Sequence, residues 1–104
     1  MTEVKTSVED TLAQRGSRYG DFTDHARICQ QLKHDMVNAR VTNSDGTFTR
    51  KWTELDDVKK QALEVIADKV ARILSGDPNY DDNWHDIQGY ARLVEERLQK
   101  NKKE

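Results

Sequence analysis

Five glycines and one proline have to supply every break in this 104-residue chain, and they fall at Gly16, Gly20, Gly46, Gly76, Pro78 and Gly89. Gly and Pro are the strongest local interrupters of regular structure, so the intervals between them must hold long elements. From Ser7 to about Arg15, Val8 and Leu12 lie on one face behind a Ser7 cap, with Glu9 and Asp10 in the first turn, which predicts a short helix. The second element opens at Asp21 or Thr23. It places Phe22, Ala26, Cys29, Leu32 and Met36 on one helical stripe running to about Arg40.

Between 41 and 52, β-branched and aromatic residues flank Asp45-Gly46, which predicts a small hairpin or loop leaning on a helix through Phe48 or Trp52. Thr53 then caps a long helix whose inner stripe is Leu55, Val58, Ala62, Val65, Ile66, Val70, Ile73 and Leu74. Gly76-Asp77-Pro78 stops it. Asp81 or Asp82 caps the last helix, with Trp84, Ile87, Ala91, Val94 and Leu98 on its apolar face. The sum is an all-α chain: a small four-helix bundle over 1–104, ending in an antiparallel helical hairpin, with 1–6 and 101–104 frayed.

The length argues for one domain, and with hydrophobic and charged residues each at 35% the core is thin, so a homodimer would help it. A net charge of −2 offers no general attraction for nucleic acid or anionic membrane. No apolar run approaches the roughly 20 residues that span a bilayer. Cys29, the single cysteine, cannot form an internal disulfide and reads as core. With no cationic, apolar leader at the N-terminus, a cytoplasmic protein is expected. His25, His34 and His85 are not at ligand spacing with one another and read as surface or rim residues.

The residues that could carry chemistry straddle the last two helices. Glu64 and Asp68 share a face, as do Asp82, Asp86 and Tyr90. If the hairpin turns at 76–80, Asp68 and Asp86 differ in height by only about 4–5 Å at about 1.5 Å per residue. Four carboxylates could then face one another and hold Mg²⁺, which takes a few carboxylates, waters and a substrate's phosphates. Lys69 and Arg72 stand at nearly the same levels as Asp86 and Asp82, so the set reads equally as interhelical ion pairs. Gly89, inside the last helix at a cost of about 1 kcal/mol against Ala, points to a packing or access requirement. At the other end, Arg15, Arg18 and Tyr19 lie among Gly16 and Gly20 at a helix entrance. They fit a phosphate site or a plain helix corner with Tyr19 and Phe22 packed inward.

Four blocks carry a resemblance: Arg-Gly-Ser-Arg-Tyr-Gly-Asp-Phe at 15–22, Asp-Lys-Val-Ala-Arg-Ile at 68–73, Gly-Asp-Pro at 76–78 and Asp-Asn-Trp-His-Asp-Ile-Gln-Gly-Tyr-Ala at 82–91. Together they resemble a family of small proteins of tailed bacteriophages and prophages, over about Thr11 to Leu98. That resemblance implies a phage provenance, hence the cytoplasm of an infected or lysogenic bacterial host, and a helical fold; it carries no activity with it. More distantly the chain is similar to the all-α nucleoside triphosphate pyrophosphohydrolases of the MazG and dimeric dUTPase type. Those enzymes gather Mg²⁺ on Glu-x-x-Glu and Glu-x-x-Asp pairs of successive helices. Here the pairs Glu64/Asp68 and Asp82/Asp86 are spaced by four.

Two functions are therefore expected as alternatives. In the first, Glu64, Asp68, Asp82 and Asp86 hold Mg²⁺, while Arg15, Arg18, Lys69 and Arg72 contact the phosphates of a nucleotide and Tyr19 or Tyr90 meets the base or ribose. In the second, a non-enzymatic phage accessory protein binds a host or phage protein, its charges are structural, and the loop at 41–52 is the contact. In both, Asp86 is expected to be the most shielded acid, with Lys69 as its partner.

Overall fold

The computed structural model describes residues 8–12 and 20–103. Residues 8–12 are helical (α1); the remainder of the expected 7–15 helix, and residues 1–6, lie outside the described residues. Helix α2 spans Phe22–Asn38, and its start is decided by Asp21, whose Oδ1 accepts from the Thr23 amide at 2.6 Å. An Asp side chain here satisfies one of the amides that a helix N-terminus leaves without an intrahelical partner. Of the expected stripe, Cys29 is buried and Ala26, Leu32 and Met36 are half-buried, but Phe22 is exposed, its ring edge-on to His25.

Strands β1 (Val41–Thr42) and β2 (Phe48–Thr49) form an antiparallel hairpin with Val41 opposite Thr49. Asn43 closes it: its amide donates to the Thr47 carbonyl at 2.8 Å, and its side chain bonds Thr47 and Thr49. Gly46 takes φ +88° in the turn. Phe48 does not lean on a helix; it is exposed beneath the Arg40 guanidinium, 4.2 Å from its ring centre. The packing contact instead comes from the 3₁₀ turn Lys51–Glu54, which carries the half-buried Trp52 against α2.

Helix α3 is Asp57–Ser75, and its cap is Asp56, accepting from the Lys59 amide at 3.0 Å, rather than the expected Thr53. Thr53 is absorbed by the 3₁₀ turn, where its hydroxyl donates to the Arg50 carbonyl. The chain reverses through Gly76 and a turn built on Asp77, which accepts from Asn79 and Tyr80. Helix α4, Asp81–Lys103, then runs three residues further than the expected fray point.

Among the described residues the architecture is mainly all-α, with four helices and one small two-stranded sheet. Helix α3 is central, with α2 packed on one side and α4 on the other. Its fully buried residues are small, Ala62, Ala67 and Ala71, which lets both neighbours approach closely. Val65, Ile66, Val70 and Ile73 are only half-buried, and Val58 and Leu74 are exposed, because no second layer among the described residues closes over them. Trp84, expected as a packing anchor, is also half open, its indole N–H donating to the Pro78 carbonyl at 2.9 Å. The Cα radius of gyration is 18.1 Å, against about 13 Å for a compact chain of this length. Among the described residues, no helix is long and apolar enough to cross a membrane.

Candidate functional site

Asp68 and Lys69 are neighbours on α3, so they point about 100° apart around its axis and serve different partners. Asp68 faces α2. Its Oδ1 lies 2.8 Å from His25 Nε2 and 3.9 Å from Cys29 Sγ, while its Oδ2 accepts from Arg72 Nε at 3.0 Å, one turn along α3. Lys69 faces α4 and reaches Asp86 Oδ2 at 2.9 Å. Equal height across the hairpin does bring Lys69 to Asp86. It does not bring Asp68 to Asp86, because height says nothing about azimuth.

Asp82 is exposed and accepts from the Tyr80 hydroxyl at 2.7 Å, and Glu64 is half-buried on α3. Among the described residues, the group of three or more His, Cys, Asp or Glu side chains whose ligand atoms converge within 4.8 Å is His25, Cys29 and Asp68. Glu64, Asp82 and Asp86 do not join it. Tyr90 is half-buried in a shallow apolar hollow with Val58, Leu93 and Val94. Arg15, Arg18 and Tyr19 lie outside the described residues.

The electrostatics follow the same pairing. The Lys69 ammonium, donating to Asp86, holds that carboxyl below its ordinary value of 3.8. Asp86 is nonetheless not the most shielded acid: its side chain is 41% exposed, against 30% for Asp68. The shielded member of that pair is Lys69, whose stem is covered between α3 and α4 while its head reaches the rim. Burial pushes the Cys29 thiol above its ordinary 9.0, a rise opposed by Lys33 and Arg72 and reinforced by Asp68.

His25 is the main functional candidate that the sequence reading assigned to the surface; it is buried. The available signal was its position four residues before Cys29, which puts both on one face of α2. Asn83 is a second case, 1% exposed at the start of α4, with its Nδ2 lacking a hydrogen-bond partner. The packing requirement expected at Gly89 is absent, since a Cβ there would meet nothing within 4 Å. The position that does need glycine is Gly20, at φ +81° against the Ser75 carbonyl. Comparison with protein-family models, curated proteins and solved structures finds no match to the chain.

Proposed function

We propose that this chain is a non-enzymatic helical binding module, an accessory protein of the phage kind that its sequence resembles, working through the apolar seam of α3 and α4. The observation that carries this reading is where the charges and the apolar side chains lie. The carboxylates that a nucleotide hydrolase would gather around Mg²⁺ and phosphate do not converge: Asp68 faces α2 and is held by Arg72, Asp86 pairs with Lys69, and Asp82 with Tyr80. Large apolar side chains are instead left open. Val58, Leu63, Leu93 and Leu98 are exposed along α3 and α4, and the described hydrophobic core consists of one cysteine and three alanines.

The occupant that fits this seam is a second copy of the chain. The accessible surface is 7756 Å², whereas a compact monomer of 12.1 kDa exposes about 6,000 Å². The chain is thus more open than a compact monomer, and an obligate dimer, whose interface buries about 2,000–5,000 Å² in total, covers surface of this kind. A two-fold interface also has to be self-complementary. The rim of the seam carries both signs, Asp56 and Asp57 at the entrance of α3 beside Arg97 and Lys100 from α4.

The test combines melting with an activity screen. A dimer of this kind melts at a temperature that rises with protein concentration, by mass action. Incubation with a panel of nucleoside triphosphates and Mg²⁺ is expected to yield no pyrophosphate. Release of pyrophosphate that Asp68→Asn abolishes would overturn the binding reading. A concentration-independent melt would remove the second copy from the seam and assign it to a different protein of the host or phage.

A further inference from the structure

Outside the apolar seam, one cluster joins three different donor atoms from two helices. His25 and Cys29 sit one turn apart on α2, and Asp68 reaches them from α3, its other oxygen held by Arg72. We propose that His25 Nε2, Cys29 Sγ and Asp68 Oδ1 form a binding site for a borderline-soft divalent cation of the Zn²⁺ class. A sulfur, an imidazole nitrogen and a carboxylate oxygen are the donors that Zn²⁺ accepts, whereas Mg²⁺ demands oxygen throughout.

The geometry is close to what such an ion requires. Tetrahedral bonds of about 2.0–2.3 Å place nitrogen and oxygen about 3.4 Å apart, and sulfur and oxygen about 3.6 Å apart. The corresponding separations here are 2.8 Å and 3.9 Å, and all three donor atoms lie within 4.8 Å of one another, so modest side-chain adjustments admit the ion. His25 and Cys29 are buried, which supplies a dry wall, and Asp68 is part-exposed, which supplies an approach from solvent. Arg72 acts as a positioning residue: by taking Oδ2 at 3.0 Å it leaves Oδ1 directed at His25 and Cys29. Three protein ligands leave the fourth position to water or to an incoming group, the arrangement of an open rather than a closed zinc site.

Cys29 is the single cysteine, so any thiolate-to-metal signal reports this site alone. The probe is Co²⁺, added without oxygen to protein stripped by a chelator. One equivalent per chain is expected to produce the thiolate-to-cobalt charge-transfer band and the intense visible bands of a tetrahedral ion, both bleached by Zn²⁺ and unaffected by Mg²⁺. Cys29→Ser should remove the charge-transfer band, and Arg72→Gln should weaken Co²⁺ binding by about 10–100-fold, the range for a residue that orients a ligand. Zn²⁺ should raise the melting temperature of the wild type and not that of Cys29→Ser, a comparison that also verifies that the variant folds. Saturating Co²⁺ that gives no charge-transfer band in the wild-type protein would overturn the proposal. A band that survives unchanged in both His25→Gln and Asp68→Asn would overturn it too, since the cysteine alone would then be the ligand.

Discussion

Replacing Gly20 by Ala tests how the entrance of α2 is locked to the end of α3. Gly20 sits at φ +81°, and a Cβ built there would overlap the carbonyl group of Ser75 and stand 3.0 Å from the Gly76 nitrogen. Two costs add. Holding a residue with a Cβ in the left-handed region costs about 1–2 kcal/mol. Forcing extra volume against backbone costs about 1–3 kcal/mol. The expected loss is therefore about 2–5 kcal/mol. That is a large share of the roughly 5–15 kcal/mol that holds a domain together, and a drop of about 10–30 °C in Tm. Gly46→Ala is the matched control, since Gly46 has φ +88° but nothing within 4 Å of its would-be Cβ. It should lose the backbone cost alone, about 1–2 kcal/mol. Urea and thermal unfolding of both variants, followed by circular dichroism, separate the two contributions. A Gly20→Ala variant no less stable than Gly46→Ala would refute the close docking of this corner on Ser75.

Gly89→Ala should move the other way, gaining about 0.5–1 kcal/mol and a few degrees of Tm, because the helix interior disfavours glycine and the space beside it is open. Asp86→Asn should lower Tm at neutral pH. The carboxyl is held below 3.8 by Lys69, so its contribution is present above the ordinary value and lost as pH falls through the depressed one. The melting curves of wild type and Asp86→Asn should therefore converge in acid, and a gap that persists there would contradict the ion pair. Cys29 has the opposite sign: its thiol is raised above 9.0 by burial, so the unfolded chain ionises first and the fold weakens as pH climbs past that value. Cys29→Ala should flatten this alkaline limb in a pH series of melts.

Period and spacing carried much of this fold. The α2 stripe, the helical hairpin and its Gly76 stop are all written in residue order, and simple height along two antiparallel helices was enough to pair Lys69 with Asp86. What periodicity leaves out is azimuth between elements: Asp68, one residue before Lys69, turns to α2 and meets His25 and Cys29. It also identifies an apolar face without saying what covers it. Trp84 and Leu98 lie on the expected apolar face of α4 yet stay open, because α4 packs mainly on α3 and no further helix of the described chain closes over it. Glycine shows the same limit. Gly89 inside a helix meets no packing neighbour, whereas Gly20 owes its requirement to Ser75, a contact between residues 55 positions apart.

Whether a second copy fills the α3–α4 seam is decided by the mass of the purified protein in solution, measured by light scattering beside Leu93→Glu. Leu93 is 55% exposed in the isolated chain, so a charge there burdens the monomer little and acts on whatever covers the seam. The wild type should weigh twice 12.1 kDa at micromolar concentration and Leu93→Glu should weigh 12.1 kDa. A wild-type protein that stays at 12.1 kDa as concentration rises, or a dimer that Leu93→Glu leaves intact, would contradict a second copy in the seam.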